Sequence, residues 1–96
     1  MLKNEEYEYF KRSKLAIKVL EKINKNDSMA TVLASELELY RESVSRILLK
    51  LEELNLAECT KPESSNFRPY KITSRGKLVL KEILNNKYGD QKGVAK

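Results

Sequence analysis

TVLASELELYRESVSRILLK, residues 31–50, carries two apolar stripes at helical spacing with a two-residue link between them. Leu33, Ala34, Leu37, Leu39, Val44 and Ile47 are the small or apolar positions at which two helices joined by a tight turn pack together. Arg41, Glu42, Ser45, Arg46 and Leu49 fall on the opposite face of the second helix. The link Leu39–Tyr40 is too short for antiparallel packing, so the helices cross sharply. The second stripe runs on through Leu48, Leu51 and Leu54 with no Gly or Pro to interrupt it. Helices are therefore expected from 31 or 32 to 38 and over about 41–55.

Upstream, KLAIKVLEKIN (residues 14–24) has Leu15, Val19 and Ile23 on one line, with Ala16, Ile17 and Leu20 beside it. Lysines fill the gaps, the pattern of an amphipathic helix. Ser13 is the expected N-cap, and the run from Asn24 to Ser28 reads as stop and turn. Tyr7, Tyr9 and Phe10 are assigned to an upstream extension of this helix, from about Asn4.

Downstream of Asn55 the period shortens. Residues 56–60 and 70–73 alternate, and turn residues between two prolines, Pro62 and Pro69, separate them. A β-hairpin is expected, with a loop longer than usual and a projecting tip. Phe67 in that loop is read as an anchor on the domain body. Thr73 or Ser74 caps a last helix over about 75–86, with Leu78, Val79 and Ile83 inward and Gly76 allowing close approach of a neighbouring segment. Residues 87–96 read as a flexible tail, residues 1–12 as an N-terminal extension, and residues 13–86 as one domain.

Composition bounds the function. Lysine and arginine outnumber aspartate and glutamate 19 to 14, giving a net charge of +5 and a pI near 9.3. That excess favours a polyanionic partner only weakly, because the charges are mixed along the chain. With one Cys (Cys59) and no His, the sequence offers no disulfide framework, no zinc-ligand spacing and no Cys-His or Ser-His-Asp nucleophile. Gly76, Gly89 and Gly93 are isolated, so there is no phosphate-cradling loop. An enzyme, a bound metal and a cofactor are not expected. No apolar run approaches the roughly 18 residues of a membrane span, and the charged start lacks a secretion signal. A cytoplasmic protein without membrane contact is expected. Cys59 is read as a small apolar residue rather than a redox sensor.

Three stretches carry a family resemblance: Leu33-Ala34-Ser35-Glu36-Leu37, Val44-Ser45-Arg46-Ile47-Leu48 with Leu51-Glu52-Glu53-Leu54, and Tyr70-Lys71-Ile72-Thr73-Ser74-Arg75-Gly76. In this order and spacing the chain resembles the winged helix-turn-helix domain of small bacterial and archaeal transcription regulators, of the MarR-like and ArsR-like kind. The fold class so implied is α+β, mainly α, with a three-helix core, a two-stranded wing and a C-terminal helix. Two positions depart from the pattern. Glu38 stands where the turn often has glycine, which implies a looser turn, and Asn55 replaces a glycine before Leu56. The second swap is mild, since Asn tolerates the left-handed conformation.

The resemblance implies sequence-specific binding of double-stranded DNA by a homodimer, with helix 41–55 in the major groove and wing 61–69 along the flanking backbone or minor groove. Expected DNA-binding residues are Tyr40, Arg41, Glu42, Ser43, Ser45, Arg46, Leu49 and Lys50 on the helix, and Lys61, Arg68 and Lys71 on the wing. Arg75 extends that track more weakly. Glu42 is read as pairing with Arg46 one turn on, the alternative being a bond accepted from a cytosine amino group. Tyr7, Tyr9 and Phe10 are the expected dimer contacts, because an aromatic cluster outside a three-helix core needs cover; the last helix is the rival surface. The rival reading is a winged-helix protein-interaction module within a larger complex.

Overall fold

The structure is a computed structural model that describes residues 3–64 and 68–87. Helix α1 (Asn4–Arg12) is followed by α2 (Lys14–Lys25), α3 (Ala30–Leu37) and α4 (Arg41–Glu53). Strands β1 (Ala57–Cys59) and β2 (Tyr70–Ile72) come next, then α5 (Ser74–Glu82), which runs into a wider π-type turn at Ile83–Lys87. This is the element order that the resemblance implies.

The N-terminal segment is a separate helix rather than an extension of α2. Ser13 adopts an extended backbone that ends α1, and its hydroxyl accepts from the Ala16 amide to cap α2. Ahead of that break, α1 packs on the domain through Phe10, which joins the core, and through Glu6, which pairs with Arg75 of α5. Ala16, Ile17, Val19, Leu20 and Ile23 of α2 are buried, as are Leu33 and Ala34 of α3 and Val44, Ile47, Leu48 and Leu51 of α4. Leu15, by contrast, is 39% exposed and lies outside the core. On α5 the buried face is Gly76, Val79, Leu80 and Ile83, while Leu78 is 58% exposed rather than inward. Residues three or four apart share a helix face, and Leu78 is out of phase with that set.

Two left-handed residues shape the core. Glu38 has φ 57° and Asn55 has φ 65°. At the end of α3 the Leu39 amide donates to the Ala34 carbonyl at 2.8 Å and the Glu38 amide to Ser35 at 3.3 Å. At the end of α4 the Leu56 amide donates to Leu51 at 2.8 Å and the Asn55 amide to Glu52 at 3.0 Å. Both ends are Schellman motifs, which satisfy the last carbonyls and reverse the chain within two residues. The turn after α3 is therefore as tight as a glycine would make it, contrary to the looser turn expected at Glu38.

β1 and β2 pair antiparallel in the register Ala57 with Ile72, Glu58 with Lys71 and Cys59 with Tyr70. Tyr70 and Ile72 turn inward and Lys71 outward; Cys59 is half-buried and packs against the core. Ser28, assigned to a turn from the sequence, pairs as a one-residue strand with Tyr70, exchanging backbone bonds of 3.0 and 2.6 Å. The chain before α3 is thereby fastened to the base of the wing.

The hairpin is locked to α5 through Thr73. Its hydroxyl donates to the Asn55 carbonyl at 2.6 Å and accepts from the Gly76 amide at 2.9 Å, while its own amide donates to Leu56. A Cβ on Gly76 would run into the Leu56 carbonyl and lie 2.6 Å from Ile72 Cγ1. Only glycine lets α5 start this close to the hairpin.

Candidate nucleic-acid interface

α4 buries Val44, Ile47, Leu48 and Leu51 against the rest of the domain. At about 100° per residue, the line opposite them is Glu42, Arg46, Leu49 and Glu53, and all four are exposed. Leu49 is 54% exposed, and Tyr40 just before the helix is 82% exposed. Arg41 and Ser45 lie on one flank of this ridge; Ser43 and Lys50 lie on the other.

The flank of Arg41 faces the wing. Arg41, Ser45 and Leu48 of α4, Met29, Ala30 and Thr31 at the start of α3, and Arg68 and Tyr70 of the wing surround a cleft of about 100 Å³. Two guanidinium-bearing side chains and three hydroxyl-bearing ones thus border one polar recess between helix and hairpin. Its size and chemistry suit one phosphate group better than an organic ligand.

Within the wing, Lys61 is exposed. Arg68 is half-buried, and its guanidinium donates to the carbonyls of Pro62 at 3.0 Å and Ser64 at 3.1 Å. Its bond to the Tyr70 hydroxyl raises its pKa, while burial is the main force raising that of Tyr70. Arg68 therefore braces the loop from inside. Ser65, Asn66 and Phe67, including the expected anchor Phe67, lie outside the described residues.

The remaining expected cations have protein partners. Lys50 Nζ lies 3.7 Å from Glu53 and 5.9 Å from the Tyr9 ring centre, and Lys71 Nζ lies 3.4 Å from Glu58. Both ion pairs are well exposed, and such pairs exchange readily for other anions. Arg75 is removed from the track: it donates to the Glu6 carboxylate through two bonds, at 3.1 and 2.6 Å. Glu6 is 1% exposed, and this buried pair was invisible to sequence reasoning. Burial pushes its carboxyl up, but the Arg75 bond and the Lys3 amide pull it down further, to a net lowered pKa.

The expected pairing of Glu42 with Arg46 is corrected by the structure: among the described residues no ion pair joins them. Both heads stand in solvent on the ridge. One member of the aromatic cluster, Phe10, is corrected too. Phe10 is 3% exposed inside its own core, with Tyr9 packed on it edge-to-face at 5.3 Å. For Phe10 its own domain supplies the cover that a partner was expected to provide. Tyr7 alone of the three remains exposed, with Lys11 over its ring.

Among the described residues, no group of three or more His, Cys, Asp or Glu side chains gathers as a metal site, and no helix is long and apolar enough to cross a membrane. No family model and no curated protein matches the chain. Among solved structures it is similar to a MarR family transcription regulator, at a TM-score of 0.66 and 24% identity. The match covers 82% of this chain and 52% of the other, so this chain spans about half of that regulator's length. With the helix-turn-helix at α3–α4, the β1–β2 wing and α5 behind it, the chain has the winged helix-turn-helix fold.

Proposed function

We propose that this protein is a sequence-specific double-stranded DNA-binding transcription regulator that acts as a cytoplasmic homodimer. The observation that carries the reading is the α4 ridge of Glu42, Arg46 and Leu49, where neither charge has an ion-pair partner among the described residues, beside the cleft that Arg41, Ser45 and Arg68 border. In this reading Arg46 meets a base edge, and Arg41 and Ser45 hold a backbone phosphate in the cleft. Tyr40 and Ser43 contact the backbone at the helix start, and Lys61 does so from the wing. Arg68 keeps the wing in shape, and Lys50 and Lys71 add charge by trading their surface partners for phosphate. The structural neighbour's name, a MarR family transcription regulator, points the same way.

The alternative, a protein-interaction module, draws on the same ridge. Exposed Tyr40 and Leu49 among mixed charges also suit a protein partner. Selecting random duplexes against the purified protein, with its mass measured in solution, separates the two. Enrichment of a sequence by a dimer supports the regulator. A monomer that enriches no duplex at low salt supports the module.

A further inference from the structure

We infer that Glu42 is a specificity-determining residue that selects a cytosine in the major groove, an assignment that rests on the DNA-binding reading above. Glu42 is exposed on the outer line of α4, one turn before Arg46, and among the described residues neither its neighbour nor any other cation neutralises it. An acid ahead of a base by four residues is the favourable order for a helix ion pair. Among the described residues that pair is open, which leaves the carboxylate available to accept a bond from elsewhere.

On a surface that meets phosphates, a free carboxylate lowers affinity unless a donor rewards it. The major groove offers only two such donors, the N4 amino group of cytosine and the N6 amino group of adenine. Guanine presents N7 and O6, both acceptors, and thymine presents O4 and a methyl group. Adenine's amino group sits beside the N7 acceptor, which repels the second carboxylate oxygen. Cytosine has no acceptor at that edge. Glu42 therefore rejects guanine and thymine outright and favours cytosine over adenine. Arg46, about 6 Å further along the helix axis, is matched to the O6 and N7 of a guanine within about two base steps.

The test is a comparison of duplex pools selected by the wild type, E42Q and E42A, with circular dichroism confirming that each is folded. The wild type is expected to enrich a C·G pair at one position of each half-site. E42Q should turn that position to adenine, because an amide both accepts from N6 and donates to N7. E42A should lose the preference there by about tenfold or more while retaining the rest of the motif. The inference is overturned if all three pools carry the same base at every position, or if E42A gains affinity equally for all sequences. A wild type that enriches no duplex overturns the DNA-binding reading itself, and this assignment with it.

Discussion

Glu6 and Arg75, separated by 69 residues, meet with the guanidinium Nη2 2.6 Å from Oε1 and Nε 3.1 Å from Oε2. The Lys3 amide gives Oε1 a further bond at 2.8 Å, so both oxygens of the buried carboxylate are hydrogen-bonded. The pair fastens α1 to the start of α5, three residues beyond the wing strand. Removing one member of a buried pair strands the other, and Arg75→Gln should lower stability by about 2–3 kcal/mol in denaturant unfolding.

The same pair predicts a pH dependence. The Glu6 carboxyl is held below its ordinary value of 4.5 in the folded state. A lowered acid contributes stability that is complete above the unfolded value and is lost as pH falls through the folded one. The gap in Tm between wild type and Glu6→Gln should hold from neutral pH down to about 4.5 and close below it. A gap that closes on the alkaline side would contradict the account.

Glu38 bears a side chain in the left-handed region at φ 57°, where a Cβ costs about 1–2 kcal/mol. Part of that is regained by glycine, less its greater freedom in the unfolded chain. Glu38→Gly should raise stability by about 0.5–1 kcal/mol with DNA binding unchanged, and Glu38→Val should lower it by at least as much. Thermal unfolding of the two variants is the check.

Gly76→Ala carries the opposite expectation. The new methyl meets the Leu56 carbonyl, a backbone atom that cannot swing aside. Overpacking of this kind costs about 1–3 kcal/mol, and because Leu56 leads directly into β1 and Ile72 ends β2, the wing amides should lead the rise in hydrogen exchange.

The helices were readable because Leu, Ile and Val recur every three or four residues, and the caps Ser13 and Thr73 because a hydroxyl precedes each stripe. The phase of a stripe is less sharply defined at its ends, so Leu15 and Leu78 share the apolar stripes of their helices in the sequence yet are exposed in the fold. Glu38 hid a left-handed turn because the usual glycine signal was absent. The Ser28–Tyr70 bridge has one residue on its first side, too little for any alternation. Of the candidate site, the ridge of α4 could be read from helical spacing. Its partners could not: Arg68 bonding its own loop, Arg75 bonding Glu6 and Phe10 filling the core all depend on contacts between segments distant in the chain or folded back on themselves.

The most direct test of the ridge as a DNA-reading surface is the affinity of wild type and Arg46→Gln for a selected duplex across a salt series. Wild-type binding should weaken steeply, with a log–log slope of about −0.9 per phosphate neutralised. Arg46→Gln should bind that duplex about tenfold or more weakly, yet bind unrelated duplexes nearly as the wild type does, because a base contact has been lost. Equal affinity of the two proteins for the selected duplex at every salt concentration would contradict the account.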